Sequence, residues 1–209
     1  GLLLTAVVRP AIDGNVPMSM IDASVERSGK SKLAELVGRI ILGEPTPSLQ
    51  LDTSPEEQDK RIMSKLMRGA TLTNLDNLSG DLDSAPLASL LTSTNYEGRR
   101  LGANEIASCP NRLIVIATAN NVRTSSEIAK RCVPIMLRPR TQHPERRTDF
   151  VHPEPAEYAP LVRARVIGAL VGAVELWKLA GMPPGRSGIL GGFERWAAVV
   201  GGVAKVAGW

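Results

Sequence analysis

The tetrad Ser28-Gly29-Lys30-Ser31 stands between a short apolar run, Met18 to Asp22, and a run with Leu33, Leu36, Val37, Ile40 and Ile41 at helical spacing, closed by Gly43. That order reads as strand, loop, helix. A helix headed by Gly-Lys-Ser aims free backbone N–H groups, a cation and a hydroxyl at one spot, which is an anion site. ATP binding needs N–H groups curled around its phosphates, a Lys against their charge and a Ser or Thr on Mg²⁺. Ser28, Gly29, Lys30 and Ser31 are the candidates, with Ser31 on the metal. Ser24 to Ser31 matches G-x-x-x-x-G-K-[ST] except at the first position, where Ser24 replaces Gly. The plain alternative is a helix-capping turn, and the residues downstream argue against it.

The rest of the chain alternates. Leu2 to Val8 reads as a core helix stopped near Arg9-Pro10. Ser54-Pro55-Glu56-Glu57 predicts a helix start with a capping box between Ser54 and Glu57, followed by the apolar face Ile62, Met63, Leu66 and Met67. A strand fits Ala70 to Leu75, ending at Asp76-Asn77. Ser84 and Pro86 start another helix. Tyr96 to Leu101 and Glu105 to Cys109 form a hairpin pattern around Gly102-Ala103-Asn104. Leu113 to Thr118 is a continuous apolar run, as expected of a strand buried on both faces. A short helix at Ser126 to Arg131 and a strand at Val133 to Leu137 follow. Arg138 to Pro155 reads as a linker, with His143 and His152 as surface residues. Helices then fit Leu161 to Leu179 and Phe193 to Ala207. The expected fold is α/β, a parallel sheet flanked by helices over 1–140, with a helical region over 141–209.

Each strand end in this scheme carries polar chemistry. A nucleotide-bound Mg²⁺ needs a carboxylate at the tip of a neighbouring strand, and Asp76 takes that place. Asn77 stands where many motors carry a water-activating Glu. Asn120 or Asn121 can set an amide near the terminal phosphate. Arg131, or Lys130, follows a short helix and could reach a second subunit's site; the alternative is a cation at a helix C-terminus. Arg99, Arg100 and Asn104 lie on the hairpin and fit a nucleic-acid backbone, with only Tyr96 nearby for stacking.

Composition narrows the class. Hydrophobic residues make up 43% of the 209, enough for a core, and the aromatic share is only 3%. The net charge of +4 leans toward a polyanion. Cys109 and Cys132 form no CxxC pair, so neither a disulfide framework nor a zinc site is expected, in keeping with a reducing cytoplasm. The apolar opening is too short to span a bilayer, so no membrane partner is expected. The absence of an initiator Met reads as a fragment of a longer protein.

Taken in order, these motifs resemble the AAA+ ATPases: Walker A at Ser24 to Ser31, Walker B at Asp76-Asn77, sensor 1 at Asn120 or Asn121 and an arginine finger at Arg131 or Lys130. Pro55 to Ile62, Leu75 to Gly80, Leu91-Thr92, Arg100 to Gly102, Ala117 to Asn121 and Gly192 to Trp196 are similar to the helicase part of phage and mobile-element primase–helicases, relatives of superfamily-3 and poxvirus-type helicases. The resemblance implies a P-loop NTPase (AAA+) fold, ATP and Mg²⁺ as cofactors, and a homohexameric ring that pulls single-stranded DNA through its centre in replication. It also places Arg99 to Glu105 as the pore hairpin. The other expectation is a nucleotide switch, a loader or scaffold on DNA with little turnover, motivated by Ser24 and Asn77.

Overall fold

A strand buried on both faces has to be apolar on both, and the run after Leu113 meets that condition. In the computed structural model, which describes residues 1–51, 54–99, 106–139, 141, 143–186, 188 and 190–209, it becomes the strand β5 (Ile114–Thr124), inside a sheet with β1 (Met18–Ala23), β2 (Leu72–Leu82) and β6 (Cys132–Leu137). The order is β2-β5-β1-β6 and every pairing is parallel. On the outer edge of β2, Ser48 adds one parallel bridge to Asn74.

Successive side chains on a strand point to opposite faces, and the two faces have separate cores. On one, Met18, Met20, Leu75, Val115 and Ala117 meet Ile62, Met63 and Leu66 of α3 (Pro55–Met67) and Leu87, Leu90 and Leu91 of α4 (Ala85–Thr92). On the other, Ile21, Leu72, Ile114 and Ile116 meet Leu4 and Val8 of α1 (Leu2–Val8) and Ala34 and Val37 of α2 (Lys30–Ile41). The same cluster takes in Leu170, Ala173 and Trp177 of the long C-terminal helix (Pro155–Leu179) and Val200 and Val203 of the last one (Glu194–Val206). With α5 (Ser126–Ala129) between β5 and β6, these two are α6 and α7. The fold is therefore α/β, a four-stranded parallel sheet flanked by helices in the manner of a P-loop NTPase. No described helix is long and apolar enough to cross a membrane.

Side-chain bonds tie α6 and α7 to the rest. Arg163 of α6 donates from Nε to the Ile40 carbonyl at 2.9 Å and from Nη2 to the Ile41 carbonyl at 3.2 Å. A cation there meets the last carbonyls of α2 and the negative end of its dipole. The Trp196 indole of α7 donates to Thr5 Oγ1 of α1 at 2.9 Å.

Several boundaries differ from expectation. β2 does not stop at Leu75, nor β5 at Thr118; both run on past their polar residues as a two-stranded ribbon, with Leu78 opposite Ala119 and Leu82 opposite Thr124. Two opposed irregularities make this possible, between Leu75 and Leu78 and between Ser79 and Asp81. Asn77 (φ 56°) and Asn121 (φ 52°) supply the left-handed residues there, a conformation Asn tolerates better than other non-Gly residues. The capping box at Ser54 does not form: its hydroxyl donates to Glu56 Oε2 at 2.6 Å, and Glu57 takes Lys60 instead. At Ser84 the cap forms, accepting from Leu87 N at 3.1 Å. The short helix stops at Ala129, and α6 starts at Pro155 because Pro155 suits a first helical position. The hairpin strands are β3 (Asn95–Arg99) and β4 (Ile106–Pro110), antiparallel; the turn at Gly102-Ala103-Asn104 lies outside the described residues.

The tail packs through glycine. A Cβ at Gly202 of α7 would strike the Pro183 carbonyl and the Trp177 indole nitrogen, which already bond each other at 2.8 Å. Gly202→Ala is expected to cost about 1–3 kcal/mol by overpacking. Gly172→Ala on α6, where a Cβ meets nothing, is expected to stabilise by up to about 1 kcal/mol through helix propensity. Urea denaturation of the two variants checks both signs.

Candidate functional site

β1 ends at Ala23, and the next six residues turn back to start α2 at Lys30. Arg27 (φ 55°) and Gly29 (φ 88°) are left-handed, so the loop curls tightly into the helix. No described side chain caps α2, so the N–H groups of its first turn are left for something else. The Ser28 hydroxyl is buried in this loop with no hydrogen-bond partner. Lys30 is only 7% exposed.

Beside the loop lies Asp76, on the first irregularity of β2. Its Oδ1 accepts from Thr118 Oγ1 at 2.6 Å, Ser31 Oγ at 3.0 Å and Asn74 Nδ2 at 3.3 Å. These bonds hold its carboxyl below the ordinary carboxylate range, the Thr118 hydroxyl first; partial burial pushes the other way, and Ser31, Asn74 and the Asn77 amide add to the lowering. Thr118 is 1% exposed and bonds twice, since its oxygen also accepts from the Asn77 N–H at 2.8 Å. Asn77 in turn accepts from Asn120 Nδ2 at 2.5 Å. A chain of polar contacts thus runs from Ser31 through Asp76, Thr118 and Asn77 to Asn120.

The loop and the Asn77–Asn120 pair border an open cavity of about 1370 Å³, larger than the roughly 300–1,000 Å³ of common small-molecule sites. Ser28, Gly29, Lys30, Ser31, Asn77 and Asn120 line it, and so does most of the segment from Leu137 to Pro155. Among the described residues its wall carries Arg27, Lys30, Lys32, Arg138, Arg146 and Arg147 against Glu145 and Asp149. The charge balance favours an anion. No three His, Cys, Asp or Glu side chains converge to hold a metal among the described residues, so a cation there would need oxygens from a ligand beside Ser31 and Asp76.

Other candidates stand apart. Arg131 is at the opposite end of the sheet, where its carbonyl accepts from Met18 N at 2.9 Å. Its guanidinium folds back on α5, donating to the Glu127 carbonyl at 2.6 Å and pairing with the Glu127 carboxylate at 3.2 Å. Lys130 is exposed beside it. Arg99 ends β3. Arg100 and Asn104 lie outside the described residues.

Two features escaped the sequence reading. Thr118 was legible only as a polar residue inside an apolar run. The segment after β6, read as a linker, forms part of the cavity; its density of Arg, His and Pro was the available signal.

No protein-family model matches the chain, and no curated protein does. Solved structures do. One is the crystal structure of JCV helicase bound to N-(4-(2-(thiazolo[5,4-c]pyridin-2-yl)phenoxy)phenyl)acetamide, with 19% identity and a TM-score of 0.47 over 66% of this chain and 40% of that one. Another is an X-ray structure of JCV helicase, with 17% identity and a TM-score of 0.47 over 66% and 39%. The likeness thus spans about two fifths of those helicase chains.

Thr118→Val keeps the shape and removes both hydrogen bonds, leaving the Asn77 N–H unpaired; the expected cost is about 1–3 kcal/mol. Because the Asp76 pKa is depressed in the folded state, its contribution is present above the unfolded value of about 3.9 and is lost as pH falls through the folded value. In Thr118→Val the folded value rises and that contribution shrinks. The stability gap between wild type and variant is therefore expected to narrow on acidification, read from denaturation midpoints across the acid range.

Proposed function

We propose that this chain is the ATPase core of an AAA+ DNA motor, a helicase domain that hydrolyses ATP with Mg²⁺ to move along single-stranded DNA as a homohexameric ring. The observation that carries the reading is the 3.0 Å bond from Ser31 Oγ to Asp76 Oδ1. It joins two residues on separate elements that together supply the protein oxygens a nucleotide-bound Mg²⁺ requires. The orphaned Ser28 hydroxyl and the uncapped start of α2 fit the triphosphate as well, because its oxygens would satisfy them.

In this reading ATP supplies the bond to be cleaved and Mg²⁺ the counter-charge. Lys30 offsets phosphate charge from the head of α2. Gly29 gives the loop its turn. Ser31 and Asp76 would hold the metal. Asn77 and Asn120 orient the attacking water with their paired amides. Arg131 acts on the site of a second copy, and Arg99, Arg100 and Asn104 meet DNA phosphates.

One observation favours a second reading. Asn77 is an amide whose oxygen is already bonded to Asn120, so it does not serve as a base. A loader or scaffold that binds nucleotide and turns over slowly would need no more than that.

Steady-state ATPase assays with and without single-stranded DNA test the proposal. Expected are Mg²⁺-dependent hydrolysis stimulated by DNA, and a loss of about 100-fold or more in Lys30→Ala and Asp76→Asn. Tight ATP binding without turnover would favour the switch. Hydrolysis untouched by Lys30→Ala would sink the motor.

A further inference from the structure

The segment between β6 and α6 carries aromatic rings that neither the core nor the proposed motor chemistry uses. Aromatic residues are scarce here: two Phe, two Tyr and three Trp. Tyr96, Phe193 and Trp177 are buried in the fold. Phe150 instead is 47% exposed, and it lines the cavity that also holds Lys30 and Ser31. His152 lines the same cavity.

Both rings are held in place. The Arg147 guanidinium sits over the Phe150 ring, 4.6 Å from its centroid, and is anchored by a 2.6 Å bond from Nε to Asp149 Oδ1. The His152 ring stacks on Tyr158 with centroids 3.5 Å apart and planes 13° from parallel. Tyr158 belongs to α6, so the stack ties the segment to a helix. A ring backed on one face and open to a cavity is a platform for another flat ring.

The ligand class follows from what shares the cavity. One part of its wall offers loop N–H groups and cations, suited to phosphates. Another offers supported aromatic rings, suited to a planar heterocycle. Inorganic polyphosphate would use only the first. We infer that Phe150 and His152 form the stacking platform for the base of a nucleotide whose phosphates lie in the Ser28–Ser31 loop, so that the site selects nucleoside polyphosphates over inorganic ones. This rests on the phosphate-loop reading above and extends it to a segment that reading does not use.

Calorimetric titration of the whole chain with Mg²⁺-ATP and, separately, Mg²⁺-tripolyphosphate tests it. Wild type is expected to bind ATP at least roughly 10-fold more tightly, about the stacking contribution of one ring. Phe150→Ala and His152→Ala are expected to lose that advantage and keep their tripolyphosphate affinity. Phe150→Tyr, which retains a ring, is expected to keep it. Lys30→Ala is expected to weaken both ligands. Equal wild-type affinity for the two ligands overturns the platform while leaving the phosphate loop standing. So does ATP affinity unchanged in both alanine variants, or a loss shared equally by both ligands. If neither ligand binds wild type, the phosphate loop itself fails and the platform falls with it.

Discussion

A strand buried on both faces has no place for a polar group that lacks a partner. β5 obeys this from Ile114 to Ala119 with one exception, Thr118. Its hydroxyl is satisfied twice, donating a hydrogen bond to Asp76 Oδ1 and accepting one from the Asn77 backbone N–H. The irregularity in β2 depends on this. Between Leu75 and Leu78 the ladder carries one residue too many, and the extra backbone N–H needs an acceptor. Thr118 provides it from the neighbouring strand. The acidic residue of the site, the amide beside it and the register of the β2–β5 pair are thus fixed by one side chain.

The two irregularities also explain how the sheet ends. Left as a flat ladder, β2 and β5 would present Asp76, Asn77 and Asn120 with no control over direction. The first shift turns Asp76 toward the loop before α2. The second, near Asn121, restores alignment, so the strands continue to Leu82 and Thr124. The polar side chains are gathered where the pair outruns β1, whose pairing with β5 is over at Ile21 and Thr118.

Much of this was legible in the sequence. The strand, loop and helix around Lys30 fall where periodicity and Gly43 put them, and Ser84 caps as its type predicts. The parallel α/β class follows from alternating elements. The extensions of β2 and β5 were not legible. Asn-Leu-Ser-Gly-Asp and Asn-Asn-Val-Arg carry the residues that usually end strands, and only pairing between distant segments keeps them extended. The lining role of the segment after Leu137 was hidden for a similar reason. Pro, Arg and His describe an exposed connection well, and local composition does not report which cavity such a connection crosses. At Ser54 the hydroxyl turns to donate to Glu56 Oε2 and does not accept from the Glu57 N–H, so the box does not close.

Arg163 gives α2 a second fixed end. α2 has 12 residues, about 18 Å of stiff rod. At its head stand Lys30 and Ser31; at its foot the carbonyls of Ile40 and Ile41 are gripped by a guanidinium from α6. A rod held at the foot moves with its holder. A tilt of α6, whose other face reaches α7, is therefore delivered along the rod to the N–H groups of the loop. The C-terminal helices and the loop before Lys30 thus bear on opposite ends of a single strut.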